Sequence, residues 1–166
     1  MHNQINSEFL EVINQNIGIA HKVCRIYFQN ADERDDVMQE MMYQLWRSYH
    51  RFDGHSKFST WMYSVCLNTA LTYKRKTIKH QAEPLSESHH QIADPNSGTN
   101  LEDTRLLYDA IATLSPLNKG IILLYLENMS YEEMASITGL TKSNVSVKLV
   151  RIKKELELRL SKNLNP

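Results

Sequence analysis

The sequence predicts an all-α protein: two small helical domains joined by a flexible acidic linker, the second containing a helix-turn-helix. Three observations predict this. Apolar residues recur at three- and four-residue spacing through long stretches on both sides of a polar segment, the period of helices buried on one face. Breakers are few, with Gly 5 and Pro 4 in 166 residues, too sparse for the turns of a β-rich fold. Charge is unevenly placed. Lys+Arg 19 balances Asp+Glu 19, so the total is silent about partners. Residues 1–80, however, hold ten basic and eight acidic side chains, residues 81–104 none and five, and residues 105–166 nine and six. Two mildly basic blocks, 1–80 and 105–166, flank an acidic connector, 81–104.

In the first block, Asn6 or Ser7 is expected to cap a helix whose core face is Phe9, Val12, Ile13, Ala20, Val23, Cys24, Tyr27 and Phe28. Asn30-Ala31-Asp32 interrupts the pattern, and Asp32 with Asp35 resembles a cap for the next helix. There Val37, Met41, Leu45 and Tyr49 form a core stripe, while Asp36, Gln39, Glu40, Tyr43 and Arg47 fall largely elsewhere. By itself that polar row reads as a solvated face more readily than as a docking surface for a basic helix. A short polar loop follows, Arg51–Lys57, in which Gly54 permits a tight turn. Ser59 or Thr60 is then expected to cap a third helix carrying Trp61, Met62, Val65, Cys66, Leu67, Ala70 and Leu71. Trp61 is either packed or presented at the surface. Asn68 and Thr72 lie one turn apart and lead to Lys74, Arg75, Lys76 and Lys79. Such a polar ridge ending in cations suits base edges and phosphates.

Gln81 to Asn100 is polar, with Pro84, Pro95, Gly98 and the pair His89-His90, and reads as linker. Beyond it, Leu101, Leu107, Ile111 and Leu114 suggest a helix, and Ser115-Pro116 starts another. Ser130 and Glu133 form a capping box, Gly139 marks a turn, and Thr141 caps a last helix with Val145, Leu149, Ile152 and Leu156 on its buried face. This is a helix-turn-helix by pattern and turn chemistry. In that motif the start of the second helix meets bases, here Lys142, Ser143, Asn144, Ser146, Val147 and Lys148, while Arg151, Lys153 and Lys154 are placed for phosphate.

Cys24 and Cys66 sit among apolar neighbours and read as buried free thiols of a reducing, cytoplasmic compartment. His21 and Cys24 lack a second pair at zinc-binding spacing. The N-terminus shows no signal-peptide pattern, and no stretch approaches the roughly 20 apolar residues of a membrane span. No Walker loop, Gly-x-Ser-x-Gly or zinc-protease pattern appears, so neither an enzyme nor a cofactor is expected.

Asp36-x-x-Gln39-Glu40 followed by Lys57-Phe58-Ser59-Thr60-Trp61 resembles the promoter-melting domain of bacterial sigma factors, with the small extracytoplasmic-function class the nearest match. The likeness spans about residues 5–160. It implies that Asp36, Gln39 and Glu40 dock on the clamp coiled coil of core RNA polymerase. It implies that Gly54, His55, Ser56 and Lys57 hold a base flipped from the non-template strand of the minus-ten element, beside Trp61. Asn68 and Thr72 would then meet the upstream edge of that element, and Lys74, Arg75 and Lys76 its backbone. Base capture and polymerase contacts would drive melting without ATP.

The connector would thread the polymerase cleft and RNA exit channel. Thr141, Lys142, Ser143, Asn144, Ser146, Val147, Lys148 and Arg151 would face the minus-thirty-five element. Many relatives carry arginine where Ser146 stands, so base preference does not transfer; Val147 could meet a thymine methyl. The partners implied are core RNA polymerase, promoter DNA and an anti-sigma factor, which a membrane could hold, with no small-molecule substrate. The alternative is a helix-turn-helix repressor or activator working on duplex DNA without polymerase, which leaves the loop before Trp61 unexplained.

Overall fold

The computed structural model describes residues 2–80 and 101–164. They divide into two compact units, one on each side of the connector. Every element is helical among the described residues: α1 His2–Tyr27, α2 Ala31–Ser48, a single 3-10 turn Tyr49–Arg51, α3 Phe58–His80, α4 Leu101–Ala112, α5 Pro116–Leu126, α6 Tyr131–Thr138 and α7 Lys142–Leu164. None of these helices is long and apolar enough to cross a membrane. The connector's linker character and the pair His89-His90 lie outside the described residues.

In the first unit each of α1, α2 and α3 packs on the other two. The anticipated face of α1 supplies Phe9, Ile13, Ala20, Val23, Cys24, Tyr27 and Phe28 to the core, joined by Ile26, while Val12 is only half-buried. From α2 come Val37, Met41 and Leu45, all fully buried. Burying such a side chain is worth about 1.5–3 kcal/mol, so this stripe fixes which way α2 faces and leaves its polar row outward. Met62, Tyr63, Cys66, Leu67 and Ala70 complete the core from α3. Tyr49, expected in the stripe, is half-buried in the 3-10 turn that ends α2.

Three caps differ from expectation, each for a local reason. α1 already begins at His2, and Ser7 donates its hydroxyl to the Gln4 carbonyl inside the helix. α2 is capped by Asn30, not Asp32: the Asn30 Oδ1 accepts the N–H of Asp32 at 2.8 Å and of Glu33 at 3.4 Å. Asp32 and Glu33 lie in the first turn, where acids complement the helix dipole. α3 opens at Phe58, ahead of Ser59 and Thr60, and the Lys57 carbonyl accepts the Trp61 N–H. Neither hydroxyl is therefore at the cap, and Thr60 is buried.

In the second unit α4 packs on α5 and α7, and α6 on α5 and α7. α4 takes in residues 101–104, the end of the expected connector, with Glu102 and Asp103 in its first turn. Ser115 caps α5 with Pro116 at its first position. Gly120 to Leu124 are all buried, so this short helix is enclosed nearly all round. Asn128 turns the chain out of α5 with φ 60°, a left-handed conformation that asparagine tolerates better than most side chains. The capping box of α6 is complete: Glu133 N–H reaches Ser130 Oγ at 3.1 Å, and Ser130 N–H reaches Glu133 Oε2 at 2.9 Å. Gly139 ends α6 at φ 76° and donates its N–H to Ala135. Thr141 Oγ1 accepts the N–H of Asn144 at 3.1 Å and so starts α7, whose Val145, Leu149, Ile152 and Leu156 are buried.

Candidate nucleic-acid and partner interfaces

The exposed row of α2 is Asp36, Gln39, Glu40, Tyr43 and Arg47, with Trp46 between the last two. The spacing of three and four residues keeps them along one side of the helix. Glu40 accepts a 2.8 Å hydrogen bond from Gln44 one turn on. Trp46 is 46% exposed and was not anticipated from the sequence. Its inner edge meets Phe9, ring centroids 5.1 Å apart.

The loop between the 3-10 turn and α3 is held by aromatic rings. Phe52 and Phe58 stand at its two ends and touch edge to face at 5.5 Å. The indole of Trp61 leans on both at 5.3 Å and reaches Tyr49 at 6.3 Å, and Tyr49 in turn contacts Phe9. Trp61 is thus half-buried and serves as the floor of the loop. Above that floor Asp53, Gly54, His55, Ser56 and Lys57 are all exposed. Gly54 has φ 78°, which makes the turn tight. Asp53 closes the turn: its Oδ1 accepts the His55 N–H at 3.0 Å, and its Oδ2 lies 2.8 Å from His55 Nδ1. These bonds from the His55 backbone and imidazole hold the Asp53 carboxyl below its ordinary range.

Along α3, Asn68, Thr72, Arg75 and Lys76 are exposed and fall on one face. Lys74 does not join them. It lies about 160° around the helix from Thr72, and its ammonium sits over the Phe28 ring at 4.8 Å. Burial pulls the Lys74 pKa down, with Glu33 partly offsetting it. The cationic end of the ridge is therefore Arg75 and Lys76.

In the second unit the start of α7 presents Lys142, Ser143, Asn144, Val147 and Arg151 at the surface, with Ser146 and Lys148 half-buried or partly exposed along the same turn. The Thr141 hydroxyl is occupied as the helix cap. Lys142 bridges back to Glu132 of α6, which keeps that carboxyl below its usual range. Lys153 lies over the Tyr125 ring at 4.0 Å. Arg151, Lys153 and Lys154 are all exposed beyond the first turn. Among the described residues no group of three or more His, Cys, Asp or Glu is placed to hold a metal.

Comparison with known proteins agrees with this geometry. Residues 12–79 match the model for sigma-70 region 2 and residues 104–156 the model for sigma-70 region 4. The chain is 29% identical over 157 residues to the ECF RNA polymerase sigma-E factor of Haemophilus influenzae, covering 84% of this chain and 82% of that one. It is 26% identical over 143 residues to the RNA polymerase sigma factor SigV of Bacillus subtilis, covering 86% and 84%. Its fold is shared with RpoE, solved in complex with the anti-sigma factor NepR from Bartonella quintana, at a TM-score of 0.77 and 18% identity over 93% of this chain and 97% of that one. CnrH, solved with the cytosolic domain of CnrY, gives a TM-score of 0.65 at 17% identity over 95% and 90%. Two family regions in their proper order, on two helical units whose second carries a complete helix-turn-helix, place the chain in the sigma-70 family as an RNA polymerase sigma factor of the extracytoplasmic-function class.

Proposed function

We propose that the chain directs promoter-specific initiation through three separate surfaces. Asp36, Gln39 and Glu40 on α2 dock core RNA polymerase. The loop Gly54–Lys57, floored by Trp61, takes a base from the melted minus-ten element, and Asn68, Thr72, Arg75 and Lys76 track the strand leading to it. Ser143, Asn144, Val147 and Arg151 at the start of α7 face the minus-thirty-five duplex, with Ser146, Lys148 and Lys142 at the margins. The carrying observation is the exposed loop continuous in sequence with the one-sided ridge of α3. A duplex-only repressor has no use for a ring-floored loop outside its helix-turn-helix.

The protein works by binding, in the cytoplasm, without a cofactor and without turning over a small molecule. An anti-sigma factor holds it inactive. One protein of the same fold was solved with an anti-sigma factor and another with a cytosolic domain of a second protein, and the exposed Val150 and Leu158 of α7 offer a partner apolar surface.

The docking assignment is tested with Gln39→Ala and Glu40→Ala together. Both side chains are exposed, so the fold should be unchanged by circular dichroism. Affinity for core polymerase should fall at least about tenfold, the scale of an interface hot spot. Unchanged affinity would remove α2 from the interface.

A further inference from the structure

We propose that Asp53 fixes the tautomer of His55 and so makes the loop select a base bearing an exocyclic amine, adenine or cytosine. The inference rests on the reading of this loop as the base-capture site and names the chemistry by which it would choose.

Asp53 contacts His55 twice, through Oδ1 to the backbone N–H at 3.0 Å and through Oδ2 to Nδ1 at 2.8 Å. The first contact is a turn that positions the residue. The second is chemical. An ionised carboxylate can only accept hydrogen bonds, and the bonds from His55 keep this carboxyl ionised. The Nδ1 facing it must therefore carry the proton. In a neutral imidazole that leaves Nε2 bare, a pure acceptor. The His55 side chain is 86% exposed, so that acceptor is available to a ligand.

An acceptor at this point suits the amine of adenine or cytosine. Guanine and thymine carry a keto oxygen at the corresponding position, and its lone pairs would oppose Nε2. The two ends of the loop are anchored on packed rings. They are joined by the Phe52–Phe58 contact, Gly54 takes the left-handed turn, and Trp61 closes the loop below. Asp53 is therefore a positioning residue and His55 the group that reads the base.

Asp53→Asn separates the two contacts. The asparagine oxygen still accepts the His55 N–H, but its amide now donates to Nδ1. The ring proton moves to Nε2, which turns from acceptor to donor. The full chain, assembled with core polymerase, would be titrated with fork-junction promoter DNA at about pH 8.5, where imidazoles are ordinarily neutral. Each unpaired non-template position would carry each base in turn, or an abasic sugar.

The native chain should prefer adenine or cytosine at one position by about three- to tenfold, the value of one hydrogen bond. Asp53→Asn should abolish or reverse that preference, and His55→Ala should abolish it. All three proteins should have the same fluorescence melt, because both side chains are exposed. An abasic penalty with the same base preference in all three proteins would overturn the tautomer argument and leave base capture standing. No abasic penalty at any position would overturn base capture and this inference with it. A native preference for guanine or thymine would also overturn it.

Discussion

Trp61→Ala tests whether the ring cluster builds the loop. The indole is in contact with Tyr49, Phe52 and Phe58, at centroid distances of 6.3, 5.3 and 5.3 Å. Aromatic pairs contribute about 0.5–1.5 kcal/mol each beyond area burial, so three amount to about 1.5–4.5 kcal/mol. Truncating a core aromatic costs about 3–5 kcal/mol. Trp61 is only half-buried, which places the expected loss near the lower bounds, about 2–3 kcal/mol. Urea denaturation followed by fluorescence is suited to the measurement. The chain has Trp 2, Trp46 and Trp61, both in the first unit, so Trp46 remains to report on that unit alone. Polymerase affinity should be nearly unchanged, since the proposed docking residues Asp36, Gln39 and Glu40 are not members of the ring cluster, while promoter opening should fall. Trp61→Phe keeps a ring in place and should recover most of both. A stability loss below about 0.5 kcal/mol, or an equal fall in polymerase affinity and opening, would refute the idea that Trp61 acts by supporting the loop.

Arg151→Ala should weaken binding of the polymerase complex to upstream duplex uniformly across sequences and reduce the salt slope by about 0.9, the value of one phosphate no longer neutralised; a fall confined to one base position would instead mark direct readout. Burial pushes the Cys24 thiol up to about 11 and the Cys66 thiol up to about 12, from an ordinary 9.0. Both pKa values are raised in the folded state, so their contribution to stability is complete below about pH 9 and is lost as pH rises towards 11–12. Thiol-reagent labelling at pH 8 should accordingly be slow until the protein is unfolded, and rapid labelling of the native chain would contradict the burial. Ser130→Ala removes one half of the capping box and should cost about 1 kcal/mol, seen as earlier loss of helical dichroism from the second unit; no shift would mean the cap is redundant.

The sequence made the helix-turn-helix legible almost residue by residue because its signals are local. Ser130 with Glu133, Gly139 and Thr141 each satisfy backbone groups within a few positions of themselves. The first unit was less transparent at its helix ends. Asn30 and Asp32 are both capable caps two residues apart, and Ser59 and Thr60 look like caps but lie inside a helix set by the packing of Phe58 and Trp61. The α3 ridge is visible from spacing, yet Lys74 reads together with Arg75 and Lys76 because adjacency in a basic run hides direction. Only the position of Phe28, more than forty residues earlier, shows that Lys74 turns away. Lys142 and Lys153 likewise read as cations waiting for DNA, while Glu132 and Tyr125 engage them from neighbouring helices. The ring cluster was illegible for the same reason, since Phe9, Trp46, Phe52 and Trp61 come from three helices and a loop.

The most direct test of the whole account is abortive initiation with purified bacterial core polymerase on a promoter library, with and without this chain. Short transcripts should depend on the protein and arise from a sequence-selected subset of templates, sharing one downstream and one upstream element. No protein-dependent transcripts, with the free chain still retarding duplex DNA by itself, would contradict it and leave a repressor or activator in its place.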